Sequence, residues 1–131
     1  MRTLEELRNA LVACHDNVCG QAMIAEETMR TDAFVSMHDR EGRYIEVSQS
    51  ITALLGYLPN DLIGKSAYDF IHPDDFEEVL RSHVRITVQA GTSSVTYRIR
   101  AKDGTYHRLT SLSKPIVQLE HGLQEILVLT F

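Results

Sequence analysis

No apolar run in this chain approaches the ~20 residues needed to span a bilayer. The first residues also lack the apolar core of a signal peptide, so the expected setting is cytoplasmic and reducing. Bases are scarce: 13 Lys and Arg stand against 18 Asp and Glu, a formal net charge of -5. A surface that tracks phosphates needs concentrated cations, so direct nucleic-acid contact by this domain is not expected. Cysteine occurs only as Cys14 and Cys19. Their C-x4-C spacing, inside an expected helix, is neither a metal knuckle nor a C-x-x-C redox turn, and no metal site is expected. No G-x-S-x-G elbow, P-loop, H-E-x-x-H helix or C-x-x-C pair occurs. The adjacent acids Glu5-Glu6, Glu26-Glu27, Asp74-Asp75 and Glu77-Glu78 sit in helical contexts, where neighbours point apart. His72 with Asp74 and Asp75 reads as a helix start, so the chain is not expected to be an enzyme and no catalytic residue is assigned.

What is present is one ordinary domain's worth of core. At 131 residues with 44% hydrophobic and 24% charged side chains, the chain should bury about two-thirds of its unfolded surface without disulfides or metals. Thr3 and Glu6 form a T-x-x-E capping box that opens a helix. Leu4, Leu7, Leu11, Cys14, Val18, Gln21, Ala25 and Thr28 then recur at a 3-4 spacing. Gly20 weakens the middle, and the segment divides naturally into two helices if Asp16 or Asn17 caps the second. From Ala33 the period changes to two. Phe34, Ser36 and His38 alternate with Val35 and Met37, and Asp39-Arg40-Glu41-Gly42 turns the chain into a second strand, Arg43 to Val47.

Ser48 or Ser50 can cap a short helix ending at Gly56. Pro59 opens another, stopped by Gly64. Pro73-Asp74-Asp75 begins a longer helix to about Gln89, with carboxylates at its positive end. Three strands follow: Val95 to Ala101, Tyr106 to Val117 after the Asp103-Gly104 turn, and Ile126 to Phe131 after Glu120-His121-Gly122. The last is apolar on both faces, which requires a cover on each side of the sheet. The N-terminal helix is the candidate for the back. The fold class is therefore α+β: a five-stranded antiparallel sheet with short helices on one face and an N-terminal amphipathic helix on the other, residues 1–31 forming an extension and 32–131 the domain.

This order of elements carries familiar residues. Ile51-Thr52-Ala53-Leu54-Leu55-Gly56-Tyr57-Leu58-Pro59-Asn60-Asp61-Leu62-Ile63-Gly64-Lys65-Ser66 resembles the LLGY-x-P-x-x-L-x-G-x-S core of the PAS family. Phe70-Ile71-His72-Pro73-Asp74-Asp75 resembles its hHPDD helix start, and Tyr97-Arg98-Ile99-Arg100-Ala101-Lys102-Asp103-Gly104 its hairpin. Phe34-Val35-Ser36-Met37-His38, Gly64-Lys65-Ser66-Ala67-Tyr68-Asp69-Phe70 and Ser82-His83 are similar to the second PAS domain of hypoxia-inducible-factor-type transcription factors. The HPDD start is closer to bacterial sensor-kinase PAS domains.

The resemblance implies a sensory or regulatory module with an internal cavity, relaying a signal to a separate kinase, cyclase or transcription regulator beyond Phe131. The cofactor is left open. Flavin adduct chemistry is excluded, because the segment after Gly64 that carries the family's reactive cysteine reads Lys65-Ser66-Ala67-Tyr68-Asp69-Phe70. Haem is not favoured: His83 lies in the right helix but eight residues before Gly91, nearer the helix end than the family's haem ligand.

The expected ligand wall is Phe34, Ser36, His38, Tyr44, Ala67, Phe70, Val79, His83, Ile86, Tyr97, Ile99, Leu109, Ser111, Val128 and Thr130, a few polar groups in an apolar chamber. A metabolite, fatty acid or flavin is the expected guest. The competing expectation is a filled core and a homodimer held through residues 1–30, with Leu4, Leu7, Leu11 and Val18 as anchors.

Overall fold

A computed structural model describes residues 2–26, 30–88, 91–117 and 124–131. Two helices, α1 (Leu4–Ala13) and α2 (Asn17–Glu26), precede strands β1 (Phe34–His38) and β2 (Tyr44–Val47). The helical layer follows: α3 (Ser50–Leu55), three short 3-10 turns at Pro59–Asp61, Ala67–Phe70 and Pro73–Asp75, and α4 (Phe76–Val88). Strands β3 (Ser93–Arg100), β4 (Tyr106–Val117) and β5 (Gln124–Thr130) close the chain. All neighbouring strands are antiparallel, in the order β2-β1-β5-β4-β3. The Thr28 end of the helical stripe, Glu27, the helix end at Gln89 and the Glu120-His121-Gly122 turn lie outside the described residues.

The alternation read from the sequence fixes which side of the sheet each residue serves. Val35, Met37, Ile116, Leu127 and Leu129 face the back, where Leu7, Leu11, Cys14, Met23 and Ile24 of the two N-terminal helices bury them. Phe34, Tyr44, Tyr97 and Ile99 face the other way, into a cluster with Ile51, Leu55, Tyr57, Leu62, Phe70 and Ile71. Both covers that the apolar β5 demands are thus in place.

The N-terminal segment is two helices. The Thr3 hydroxyl caps α1 by accepting from Glu6 N at 3.2 Å. Asp16 Oδ1 caps α2 by accepting from Cys19 N at 2.8 Å. Cys14 therefore sits at the break and not within one continuous helix, which brings it to Cys19 in a disulfide with 5.6 Å between Cα atoms. The expectation that Cys14 lies inside a helix is corrected accordingly. Gly20 also has a role that propensity alone does not show. An added Cβ there meets Met37 Sδ at 3.1 Å, with Ile116 and Leu127 next nearest, so glycine lets α2 settle onto the sheet.

The dimer anchors need a second correction. Leu7 and Leu11 are fully buried against the sheet and Leu4 is partly buried against the same cluster. Only Val18, 74% exposed, remains available. The helical stripe was spent on covering β1, β4 and β5 because those strands have an apolar back face of their own. No helix among the described residues is long and apolar enough to cross a membrane.

Candidate functional site

Between the inner sheet face and the helical layer lies a cavity of about 70 Å³. Its sheet wall is made by Ser36 and His38 of β1, Tyr44 of β2, Val95 and Tyr97 of β3, Ser111 and Ser113 of β4, and Ile126, Val128 and Thr130 of β5. Period-two alternation puts these on one face, and strand pairing sets Ser36 opposite Val128 and Ser111 opposite Thr130. The opposite wall is Gly42, Ala67, Tyr68 and Ile71 with Val79, Ser82, His83 and Ile86 of α4. The helical spacing of the last four turns one stripe of α4 inward, and Ser82 and Ile86 are buried.

The wall's hydroxyls are organised. Tyr97 Oη and Ser111 Oγ are 2.6 Å apart, and Ser111 Oγ is 2.9 Å from Thr130 Oγ1. Ser82 Oγ and Ser93 Oγ are 2.8 Å apart. His38 is bonded at both ring nitrogens: Nδ1 lies 3.2 Å from the Gly42 carbonyl and Nε2 2.8 Å from Ser36 Oγ. A carbonyl only accepts, so Nδ1 carries the proton and the Ser36 hydroxyl donates to Nε2. Burial pushes His38 down to about 4, which outweighs the opposing help of the Gly42 hydrogen bond, so the ring is neutral near pH 7. Burial raises the Tyr97 hydroxyl, and it raises Tyr44 with added contributions from Tyr97 and Tyr57. Both phenols stay protonated near neutral pH.

Of the expected ligand wall, Ser36, His38, Tyr44, Ala67, Val79, His83, Ile86, Tyr97, Ser111, Val128 and Thr130 line this cavity. Phe34, Phe70 and Ile99 do not: they belong to the solid cluster, and Leu109 packs against it. The inner face is therefore solid toward α3 and hollow toward α4. The reason is visible in the aromatic edges: Phe70 stacks edge-on against Tyr44 and Tyr57, with ring centroids 6.3 and 5.3 Å away. Gly42, Tyr68, Ile71, Ser82, Val95, Ser113 and Ile126 line the cavity without having been named from the sequence. Ser113, Val95 and Ile126 were within reach of the alternation rule, being two residues from positions that were named. Gly42 and Tyr68 were not, because a turn and a 3-10 segment carry no period.

The cavity does not fit the larger groups associated with this fold. An enclosed space of ~150 Å³ holds benzene, and this one is half that. A haem, flavin or fatty acid does not enter it as it stands. His83, the candidate haem ligand, has Nε2 2.6 Å from the Arg40 carbonyl, to which it donates. Covalent flavin chemistry also lacks its cysteine, since Cys14 and Cys19 lie on the far side of the sheet.

Comparison with known proteins agrees with this architecture. The sequence profile described as PAS fold matches residues 44–128. The chain belongs to the PAS family. It is 33% identical over 104 residues to the basic helix-loop-helix ARNT-like protein 1 of Homo sapiens, covering 78% of this chain and 16% of that protein. It is likewise 33% identical over 79 residues to the protein Cycle of Drosophila melanogaster, covering 60% of this chain and 19% of Cycle. The chain thus spans under a fifth of these curated relatives. Among solved structures, it is similar to the PAS-B domain of Drosophila melanogaster Cycle with bound ethylene glycol. That similarity has a TM-score of 0.70 at 26% identity and covers 75% of this chain and 97% of the other. A tryptophan-to-alanine variant of that domain, with bound glycerol, also matches at a TM-score of 0.70, covering 74% of this chain and 96% of the other.

Proposed function

We propose that this chain is a regulatory PAS module whose cavity holds a small molecule, and whose occupancy biases how the domain engages the rest of its signalling protein. The observation that supports the reading is the hydroxyl-lined cavity between sheet and α4, built from five strands and a long helix rather than from one loop. A guest there touches both layers at once, so its differential affinity for two arrangements of sheet and helix shifts their balance. The curated relatives favour a transcription regulator as the effector over a kinase or cyclase. A cytoplasmic setting belongs to the same proposal, on the sequence reading alone. Gentle purification followed by native mass spectrometry, with thermal shift across a metabolite library, tests the reading. A bound or stabilising molecule is the expected result; neither, reproducibly, removes it.

A second reading, a protein-interaction module, is favoured by a different feature. Phe76, Leu80, Val84 and Val88 lie four residues apart along α4 and are all exposed, an apolar stripe of the kind that marks contact surfaces. Association as a homodimer through this stripe is compatible with a filled cavity. Leu80→Glu with Val84→Glu, followed by mass in solution, separates the two: loss of a dimer supports this reading, and an unaltered mass counts against it.

A further inference from the structure

The chemistry of the cavity wall restricts the guest further than its size does, and this inference rests on the cavity reading above. Among the described residues, no Asp, Glu, Lys or Arg lines the space. Its one fully buried ionisable base, His38, spends Nδ1 on the Gly42 carbonyl and Nε2 on the Ser36 hydroxyl. His83 spends Nε2 on the Arg40 carbonyl. An ion entering here would lose its hydration and meet no opposite charge, which makes burial unfavourable for carboxylates and ammonium groups alike.

The wall is not indifferent to polarity, however. The Tyr68 hydroxyl is buried and has no hydrogen-bond partner among the described residues, on a side chain that lines the cavity. An unsatisfied buried phenol is costly, and its burial keeps it protonated, so it is a donor awaiting an acceptor. Tyr68 is also held in place. Its ring stacks on Phe76 at 4.9 Å and on His83 at 6.0 Å between centroids. Across from it, Gly42 at φ 89° leaves room: a Cβ there would meet the Tyr68 ring at 3.1 Å.

We propose that the cavity selects a small uncharged hydrogen-bond acceptor, an alcohol, amide or carbonyl compound of about three non-hydrogen atoms by proportion to the benzene case, received by the Tyr68 hydroxyl. Nitrogen-15 NMR titration of the protein at neutral pH and fixed ionic strength tests this with four probes of this size: ethanol, formamide, formate and ethylammonium. The neutral pair should give saturable shifts at the Ser36, Ser111 and Thr130 amides, and the ions should bind at least about tenfold more weakly. Tyr68→Phe should weaken the neutral probes roughly three- to tenfold without lowering the melting temperature, since it removes an orphan hydroxyl and keeps the ring. Formate or ethylammonium binding as tightly as formamide overturns the proposal, as does an unchanged affinity in Tyr68→Phe or the failure of both neutral probes to saturate. The wild-type probe series decides the matter even if the variant does not fold. A charged or much larger molecule emerging from the metabolite library overturns this inference and leaves the cavity reading intact, whereas an empty library result removes the latter.

Discussion

His38 enters the structure uncharged and Asp75 enters it charged, and the two should give the domain separable responses to acid. His38 is held at about 4 by burial, against 6.5 when exposed. The unfolded chain therefore takes up a proton between these values that the folded chain refuses, and stability falls as pH drops through that window. The loss is about 3 kcal/mol for a shift of this size and levels off below the folded value. Urea unfolding between pH 7 and 4 should show this slope, and His38→Gln should flatten it. Asp75 also loses stability on acidification, but in a lower pH window. Its carboxylate takes the Arg98 guanidinium in a two-pronged pair at 2.8 and 2.9 Å and accepts from Arg98 N at 2.8 Å. These bonds hold it well below the usual carboxylate range. A depressed acid contributes stability at pH values above its unfolded value and loses it as pH falls through the folded one. Asp75→Asn should therefore lower stability near neutrality and remove part of the loss seen below pH 4, leaving the His38 window unaltered.

The elements that cover the back of the sheet are held by packing that an isolated helix would not reveal. Leu11 is fully buried against β1, β4 and β5 residues, so Leu11→Ala should destabilise the fold by about 2–5 kcal/mol. A dimer anchor would instead change solution mass with the monomer's stability preserved, so chemical denaturation and light scattering on one sample distinguish the roles. Gly20→Val should cost about 1–3 kcal/mol by overpacking, because Met37, Ile116 and Leu127 already stand against the missing Cβ. That loss has the opposite sign from the gain that helix propensity alone assigns to replacing glycine. The Cys14–Cys19 bridge closes a short loop across the α1–α2 break, worth about 2 kcal/mol in the loop-entropy view. Reduction should lower the unfolding free energy measured by denaturant titration by that much without opening the cavity, which is on the other face.

At the scale of the molecule, the cavity's size limits what the domain can sense. The best very small ligands reach about -1.5 kcal/mol per non-hydrogen atom, so a guest of about three atoms binds no more tightly than several hundred micromolar. Calorimetry giving a Kd below about 1 µM would mean that the cavity enlarges on binding, through movement of α4 or of the 3-10 segment Ala67–Phe70, whose residues form its partly exposed wall. Responsiveness to an abundant metabolite, and not to a scarce hormone-like molecule, is the behaviour this volume supports.

Sequence alone determined the order of elements, both faces of every long strand and the caps of α1 and α2, though not that of α3, where Gln49 and neither Ser48 nor Ser50 stands at the N-cap without a side-chain bond, because hydrophobic period, turn glycines and capping side chains are local properties written residue by residue. It also brought most of the cavity's strand residues onto one face, for the same reason. Where that face became solid and where it stayed hollow was decided only in three dimensions. Phe70 turned edge-on to Tyr44 and Tyr57 and filled one half with Phe34 and Ile99, while Tyr68, two residues away, lined the other. The fates of Leu7, Leu11 and Gly20 were settled in the same way, by which distant strand each met, and volume shared among segments far apart in the chain has no signature in any one of them.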